Sequence, residues 1–250
     1  MIQTEPYTAL AEIYDFVMRD VPYKRWSKYI TKLMKNFQPK AKRILDLACG
    51  TGTMILLLKK QGFEVDGVDS SAQMIEKAKM KVKSDDVKFF VSDMLDFKTD
   101  KKYDVALCLY DSVNYLPRIE NFYKLFENVW GSLDDQGIFI FDISTEYNSI
   151  QNAILMNLSE KHRNFKYVRR SYYLRDERKH INEFEIEING EKFFERHVQQ
   201  IYKISEIEDA IKNSGCFEML ACFDDFSFVQ ASEFSERVHF VLKKKEKRNG

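Results

Sequence analysis

Several absences bound this chain before any motif is read. Four cysteines and four histidines in 250 residues are scattered: Cys49, Cys108, Cys216 and Cys222 have no C-x-x-C or zinc-knuckle spacing, and His162, His180, His197 and His239 stand singly. A disulfide scaffold, a dithiol centre and a resident metal are not expected, and the cysteines read as small reduced core residues. There is no net charge: 39 Lys and Arg balance 39 Asp and Glu, so no overall field draws the protein to nucleic acid or anionic membrane. No apolar run approaches the ~18 residues of a membrane helix. The opening Met1-Ile2-Gln3-Thr4-Glu5-Pro6 lacks the basic segment and apolar core of a leader. The expectation is a cytoplasmic protein with no membrane partner, no internal repeat and an oligomeric state left open.

What is present suffices for one α/β core and a small insert, with 44% hydrophobic and 31% charged residues. The centre of the reading is Ile44-Leu45-Asp46-Leu47-Ala48-Cys49-Gly50-Thr51-Gly52. Its apolar start suits a strand buried in a parallel sheet, and Thr53-Met54-Ile55-Leu56-Leu57-Leu58 suits the following helix. Between them the glycines let the backbone turn and approach a ligand, at which the first free amides of the helix point. A dinucleotide cradle needs a third glycine where Ile55 stands. Phe63-Glu64-Val65-Asp66-Gly67-Val68-Asp69 reads as the second strand, and a carboxylate at its end, Asp69, can accept from both hydroxyls of a ribose. Ser70-Ser71 are placed to cap the next helix, with Met74 on its first turn.

Spelled out, Asp46-x-Ala48-x-Gly50-x-Gly52 resembles the first motif of the class I S-adenosylmethionine-dependent methyltransferases. The resemblance implies a Rossmann-like seven-stranded mixed sheet with helices on both faces. It implies S-adenosylmethionine as cofactor, its methionine part held by Asp46, Ala48, Gly50 and Gly52, and its adenosine by Asp69, Ser70 and Met74. After the third strand, Val87–Val91, Asp93 is implied as acceptor for the adenine amino group with the neighbouring Met94 backbone beside it, and Leu109, ending the fourth strand, flanks the cofactor. Ala11-x-x-Tyr14-Asp15 and Tyr23-x-x-Trp26 lie on two helices divided by Pro22. They resemble the N-terminal lid of a bacterial subgroup, which implies Tyr14 and Trp26 as cofactor contacts and Tyr14 as a catalytic candidate; for most positions there, simple covering of the sheet is the alternative.

The acceptor is expected at the sheet edge after the fourth strand, against Tyr110, Asp111, Asn114 and Tyr115. Methyltransferases of nucleobase amino groups carry an acidic residue or Asn, two prolines and an aromatic there; Leu109-Tyr110-Asp111-Ser112 does not match, which disfavours nucleic acid as substrate. A fifth strand, Ile138–Ile143, is expected after a turn at Gly137.

From 147 to 202 the pattern becomes alternating, as antiparallel strands with one wet face require. Asn189-Gly190 is the preferred pair for a type I′ hairpin. It predicts Ile188 opposite Glu191, Phe184 opposite Glu195 and Asn182 opposite His197, with Phe184, Ile186, Phe193, Glu195, His197 and Gln199 on one face. This insert, read as a small antiparallel lid, resembles that of glycine and amino-sugar N-methyltransferases. Glu195-x-His197-x-Gln199 resembles an E-x-H-x-Q motif of the same subgroup, departing at Gln200 where Arg is usual. His197 is a candidate general base and substrate contact, or equally a satisfied structural histidine. Ser205-x-x-Glu208 reads as a capping box for a helix ended by Gly215. Strands near 216–224 and 237–242 complete the sheet. Arg237, in a Ser235-Glu236-Arg237 run of that subgroup, is a second substrate candidate or a plain edge residue.

The expected organisation is a core of 1–146 and 203–243, an insert of 147–202 over the site, and a solvated basic tail of 244–250. The implied reaction is in-line methyl transfer to the N or O of a small molecule, with catalysis by positioning and exclusion of water. Two rivals remain: a nicotinamide-dependent oxidoreductase, and a non-catalytic S-adenosylmethionine-binding scaffold, associated with RNA through the Lys-rich tail.

Overall fold

The computed structural model describes residues 1–246. A short strand β1 (Ile2–Gln3) leads to helices α1 (Leu10–Val17) and α2 (Tyr23–Phe37), divided at Pro22 as expected. Strand β2 (Arg43–Leu47) delivers the glycine loop to α3 (Thr53–Lys59), and β3 (Glu64–Asp69), α4 (Ala72–Val82), β4 (Phe89–Val91) and β5 (Tyr103–Cys108) follow. A 3-10 turn at Ser112–Tyr115, α5 (Glu120–Ser132) and β6 (Leu133–Ser144) complete the parallel half. The insert contains α6 (Glu146–Asn152), β7 (Leu158–His162), β8 (Phe165–Leu174), β9 (Lys179–Ile188) and β10 (Glu191–Gln200). The chain then returns through α7 (Ile204–Ser214), β11 (Phe217–Asp224) and β12 (Arg237–Lys244).

The large sheet has the order β11-β12-β6-β5-β2-β3-β4. Its five strands from β6 to β4 are parallel, whereas β12 and β11 are antiparallel to their neighbours. Burial on both faces explains the unbroken apolar runs. Leu45, Leu47, Phe139 and Phe141 pack with α5 and α7, while Ile44, Ile138 and Ile140 pack with α2, α3 and α4. Ile55, on α3, lies in that second layer opposite Gly67 of β3, where an added Cβ would come within 2.6 Å of the Ile55 Cδ1. Close helix–strand packing, which a third glycine gives in dinucleotide folds, is here provided from the strand side.

Three boundaries differ from the sequence reading. The expected turn at Gly137 is a bulge inside β6, which already pairs at Leu133 with Tyr103 before regaining register at Ile138 opposite Val105. Helix α7 opens at Ile204, because Glu206 accepts the Lys203 N–H at 2.8 Å and pairs with Arg178; Ser205 lies inside the helix. Lys244, expected in the tail, ends β12 with its Nζ donating to the Leu133 carbonyl at 2.7 Å and lying 4.1 Å from the Trp130 ring centre. Residues 247–250 of the tail lie outside the described residues.

The insert is a separate five-stranded sheet of order β1-β10-β9-β8-β7. Asn189 and Gly190 take φ of 51° and 89°, both positive as a type I′ turn requires, and the three predicted pairs stand in register. Two features were not foreseen. Strand β1 pairs in parallel with β10, Ile2 beside Phe193. Helix α1 covers this small sheet, its Ala9, Leu10 and Ile13 packing on Tyr167, Phe184 and Ile186, so only α2 of the N-terminal pair covers the large sheet.

Candidate active site

A cavity of about 720 Å³ opens where β2, β3, β4 and β5 end, and one of its walls carries Asp46, Asp69 and Asp93. The carboxylates sit there because each ends a parallel strand or the turn just after it, at the edge where the sheet hands its chain to helices. Ala48, Gly50, Ser70, Met74, Met94 and Leu109 share the lining.

The three carboxylates are in different states. Asp69 accepts the Gly50 N–H at 2.8 Å on one oxygen and the Ser71 N–H at 2.9 Å on the other, so it anchors the glycine loop to β3. Burial pushes its carboxyl up, and those two amides partly oppose the shift. In Asp46 the Oδ2 is buried with no hydrogen-bond partner. Burial, and then the negative charge of Asp69, push its carboxyl up to about 8. Asp93, an exposed residue, spends one oxygen on the Leu95 N–H at 2.8 Å, the local turn a strand-end Asp makes readily. Two converging carboxylates, one without a partner, favour a cationic and hydrogen-bond-donating ligand.

Gly52 does not reach the lining, contrary to its expected role. It holds φ at 75° and lies against α4, where an added Cβ would stand 3.1 Å from the Ala78 Cβ and 3.2 Å from a Val82 methyl. Its glycine is required by backbone conformation and helix packing. Gly52→Ala is therefore expected to cost about 1–2 kcal/mol of stability, read as a lowered melting temperature; an unchanged melt would count against the strain.

A second part of the lining is aromatic: Tyr7, Tyr14, Tyr23, Trp26, Tyr110 and Tyr115. Tyr14 and Trp26 were expected; Tyr7 and Tyr23 were not, being aromatic residues at helical spacing that resemble ordinary core. Neighbouring Asp15 accepts from the Thr51 Oγ1 at 2.7 Å and the Lys81 Nζ at 2.6 Å, tying α1 to the glycine loop.

Of the acceptor-side candidates, Tyr110 and Tyr115 line the cavity, while Asp111, Asn114, His197 and Arg237 do not. Asn114 is fully buried and structural: its Oδ1 accepts the Ser144 N–H at 3.0 Å and its Nδ2 donates to the Gln200 carbonyl at 2.8 Å. Asp111 turns back to Arg237, 2.7 Å away. Arg237 also pairs with buried Asp142 and lies under Tyr110 and Trp26, 5.0 and 5.3 Å from their ring centres. It supports the aromatic wall from behind, and it is neither a pocket residue nor an edge residue facing solvent.

His197 is likewise one layer back. Its Nδ1 lies 3.0 Å from the Tyr115 hydroxyl and its Nε2 3.1 Å from the Glu195 carboxylate. Tyr115 in turn meets the Tyr7 hydroxyl at 2.6 Å. Burial raises both phenols far above their usual range, so at neutral pH they are protonated hydrogen-bonding groups. Glu195 has no exposure and accepts the N–H groups of Tyr7, Thr8, Ala9 and Leu10 at 2.8, 3.1, 2.5 and 3.0 Å. The E-x-H-x-Q stretch thus gathers the start of α1 and two cavity phenols onto β10, which sequence reasoning missed because the partners are 185–188 residues apart.

Comparison with known proteins gives the site its setting. Residues 44–137 match a family model described as a methyltransferase domain. The chain is 32% identical over 244 residues, 95% of this chain and 97% of the other, to the protein named "Putative methyltransferase YqeM" of Bacillus subtilis (strain 168). Among solved structures it is similar to an S-adenosylmethionine-dependent methyltransferase from Clostridium acetobutylicum, with a TM-score of 0.81, 26% identity and coverage of 96% and 99% of the two chains. It shares its fold with CalS10, an amino pentose methyltransferase from Micromonospora echinaspora solved with S-adenosylmethionine bound, at a TM-score of 0.70, 16% identity and coverage of 94% and 96%.

Proposed function

The chain belongs to the S-adenosylmethionine-dependent methyltransferases, and on that premise we propose that the carboxylate wall holds the cofactor while the aromatic wall holds a small-molecule acceptor whose N or O is methylated. The observation that carries this reading is the partnerless Oδ2 of Asp46, buried beside Asp69 in the cavity, which fits a ligand bringing both positive charge and hydrogen-bond donors. In this reading Asp46 receives the ammonium of the methionine part with the Ala48–Gly50 backbone around it, Asp69 receives the ribose hydroxyls, and Asp93 the adenine amino group. Ser70, Met74, Met94 and Leu109 flank the nucleoside, and Tyr14 and Trp26 close over it.

The bound cofactor supplies a methyl group on a sulfonium, released to an in-line nucleophile. The protein's contribution is positional. Tyr7, Tyr14, Tyr110 and Tyr115 exclude water and orient the acceptor, and no strong base is needed when the attacking atom carries a lone pair. A proton lost by the acceptor has a path from the Tyr115 hydroxyl to His197, so His197 acts as base through Tyr115 and not by direct contact. The insert and the N-terminal segment together form the lid. No helix among the described residues is long and apolar enough to cross a membrane, and the four free thiols suit a cytoplasmic setting.

Incubation with methyl-labelled S-adenosylmethionine and a metabolite extract, with and without RNA, tests this reading: label in a small molecule is the expected result. Label in RNA alone, or in nothing, would overturn it, and tighter thermal stabilisation by a nicotinamide cofactor would favour the oxidoreductase instead.

Asp46 makes the binding pH-dependent. Its carboxyl in the free protein sits at about 8, above the unfolded value of about 3.9, so its share of stability in the ligand-free protein is whole below that value and lost as pH rises through about 8. A cationic ligand favours the charged form, so binding at neutral pH expels a proton and affinity rises with pH until about 8. Calorimetry in buffers of different ionisation enthalpy reads the proton directly. Asp46→Asn should abolish the dependence, and a variant with the same pH profile would remove Asp46 from the role.

A further inference from the structure

One half-buried cation on the insert, set back from the cavity lining, is used by nothing so far described. Arg169 lies on β8 opposite Phe184, which lies opposite Glu195, so its side chain shares the inner face of the small sheet with Glu195 and His197. Its Nε and Nη2 both donate to the Asn182 Oδ1, at 2.9 and 2.8 Å, and Nη2 meets the Met156 Sδ at 3.1 Å. The guanidinium rests 5.5 Å from the centre of Phe184, whose ring is 5.2 Å from His197, itself bonded to Tyr115 of the cavity wall. Among the described residues Arg169 has no carboxylate within ion-pairing distance, and its Nη1 makes no hydrogen bond.

The contrast with Arg237 is informative. That arginine, similarly removed from water, is held between Asp111 and Asp142. The Asp111 carboxylate is further occupied by Gln199, so it is not free to serve Arg169. Removing a guanidinium from water without a counter-charge is costly, and burial does pull the Arg169 pKa down, with Tyr110, Tyr115, Tyr7 and Asp111 close enough to act on it electrostatically. Asn182 takes the Nε and Nη2 edge of the fork and Met156 the other Nη2 donor, which leaves the two Nη1 donors for an oxygen of a carboxylate or phosphate.

We propose that Arg169 is the receptor for an acidic group on the methyl acceptor, so that the substrate is a small molecule carrying a carboxylate or a phosphate, its acidic end against the insert and its nucleophile toward Tyr110 and Tyr115. The proposal rests on the reading of this cavity as a methyl-transfer site. It gives the insert a chemical task, fixing one end of the acceptor while the large sheet fixes the cofactor.

Two measurements test it. In protein loaded with S-adenosylhomocysteine and labelled in its arginine side chains, the Arg169 Nε–Hε resonance, assigned by its loss in Arg169→Gln, is titrated with inorganic phosphate and separately with acetate at constant ionic strength. A saturable shift with one anion is expected and tells which acidic group is recognised; no saturable shift with either overturns the proposal. Separately, label transferred in the metabolite extract should be retained on an anion exchanger. In Arg169→Gln, kcat/KM for that acceptor should fall about 30-fold, with calorimetric affinity for S-adenosylmethionine unchanged. A neutral or cationic labelled product, or undiminished transfer by Arg169→Gln, overturns it. Absence of any transfer counts against the methyl-transfer reading, while the resonance titration still decides whether Arg169 takes an anion.

Discussion

Asp69→Ala is expected to lower S-adenosylmethionine affinity by about 100-fold or more, the loss of two hydrogen bonds to an ionised acceptor at roughly 1.5–3 kcal/mol each. The structure adds a second consequence. Because Asp69 also accepts the Gly50 and Ser71 amides, alanine leaves both donors without a partner, at about 1–3 kcal/mol each if they stay dry. The variant should therefore melt earlier as well as bind weakly. Asp69→Asn separates the effects: its carbonyl oxygen still accepts one of the two amides, so it should recover part of the stability while staying deficient in binding, since only a carboxylate accepts from both ribose hydroxyls. Calorimetry and a thermal melt on the same preparations read the two quantities. Normal binding by either variant would take Asp69 out of the proposed cofactor site, and with it the ribose assignment.

The ease with which these carboxylates were found, against the difficulty of the acceptor side, has a local cause. A residue ending a parallel strand is placed by the strand itself, so Asp46, Asp69 and Met94's neighbour Asp93 were legible from apolar runs and their ends. After β5 the backbone does something no periodicity reports. Tyr110 and Asp111 both take left-handed φ, 62° and 51°, and their amides are held at 2.7 and 2.8 Å by the Asp142 carboxylate from the next strand. Two successive left-handed residues send the Tyr110 ring to the cavity and the Asp111 carboxylate away to Arg237. Strain of this kind persists only where surroundings over-determine it, and Asp142 and Arg237, about 30 and 125 residues along the chain from Tyr110, are those surroundings. The hairpin register was legible because Asn189-Gly190 decides it locally; what that hairpin touches was not.

Glu195→Ala is expected to be the most damaging change outside the cavity wall. A carboxylate at the start of a helix satisfies amides that have no intrahelical partner and complements the positive end of the helix dipole. Here one buried carboxylate accepts four successive backbone donors from the start of α1, and the Thr4 hydroxyl reaches it at 3.3 Å. Removing a buried charge that its partners depend on costs about 3–5 kcal/mol. The loss falls on one end of the molecule, since α1 is held to the insert by these bonds and a small apolar cluster. Amides of residues 7–17 should exchange with solvent far faster in the variant while those of β2 and β5 keep their protection. The cofactor KM should rise because Tyr7 and Tyr14 leave the wall. The same bonds set an acid limit: burial opposes the charge on Glu195, but His197 and the amides outweigh it and hold its carboxyl below the usual glutamate range. A depressed carboxylate gives its stability above the unfolded value of about 4.3 and loses it as pH falls through the folded one, so the N-terminal segment should loosen in acid before the large sheet does. Equal exchange rates for residues 7–17 in wild type and variant would show that the apolar cluster and the Asp15 bonds suffice to hold α1, and that Glu195 closes nothing.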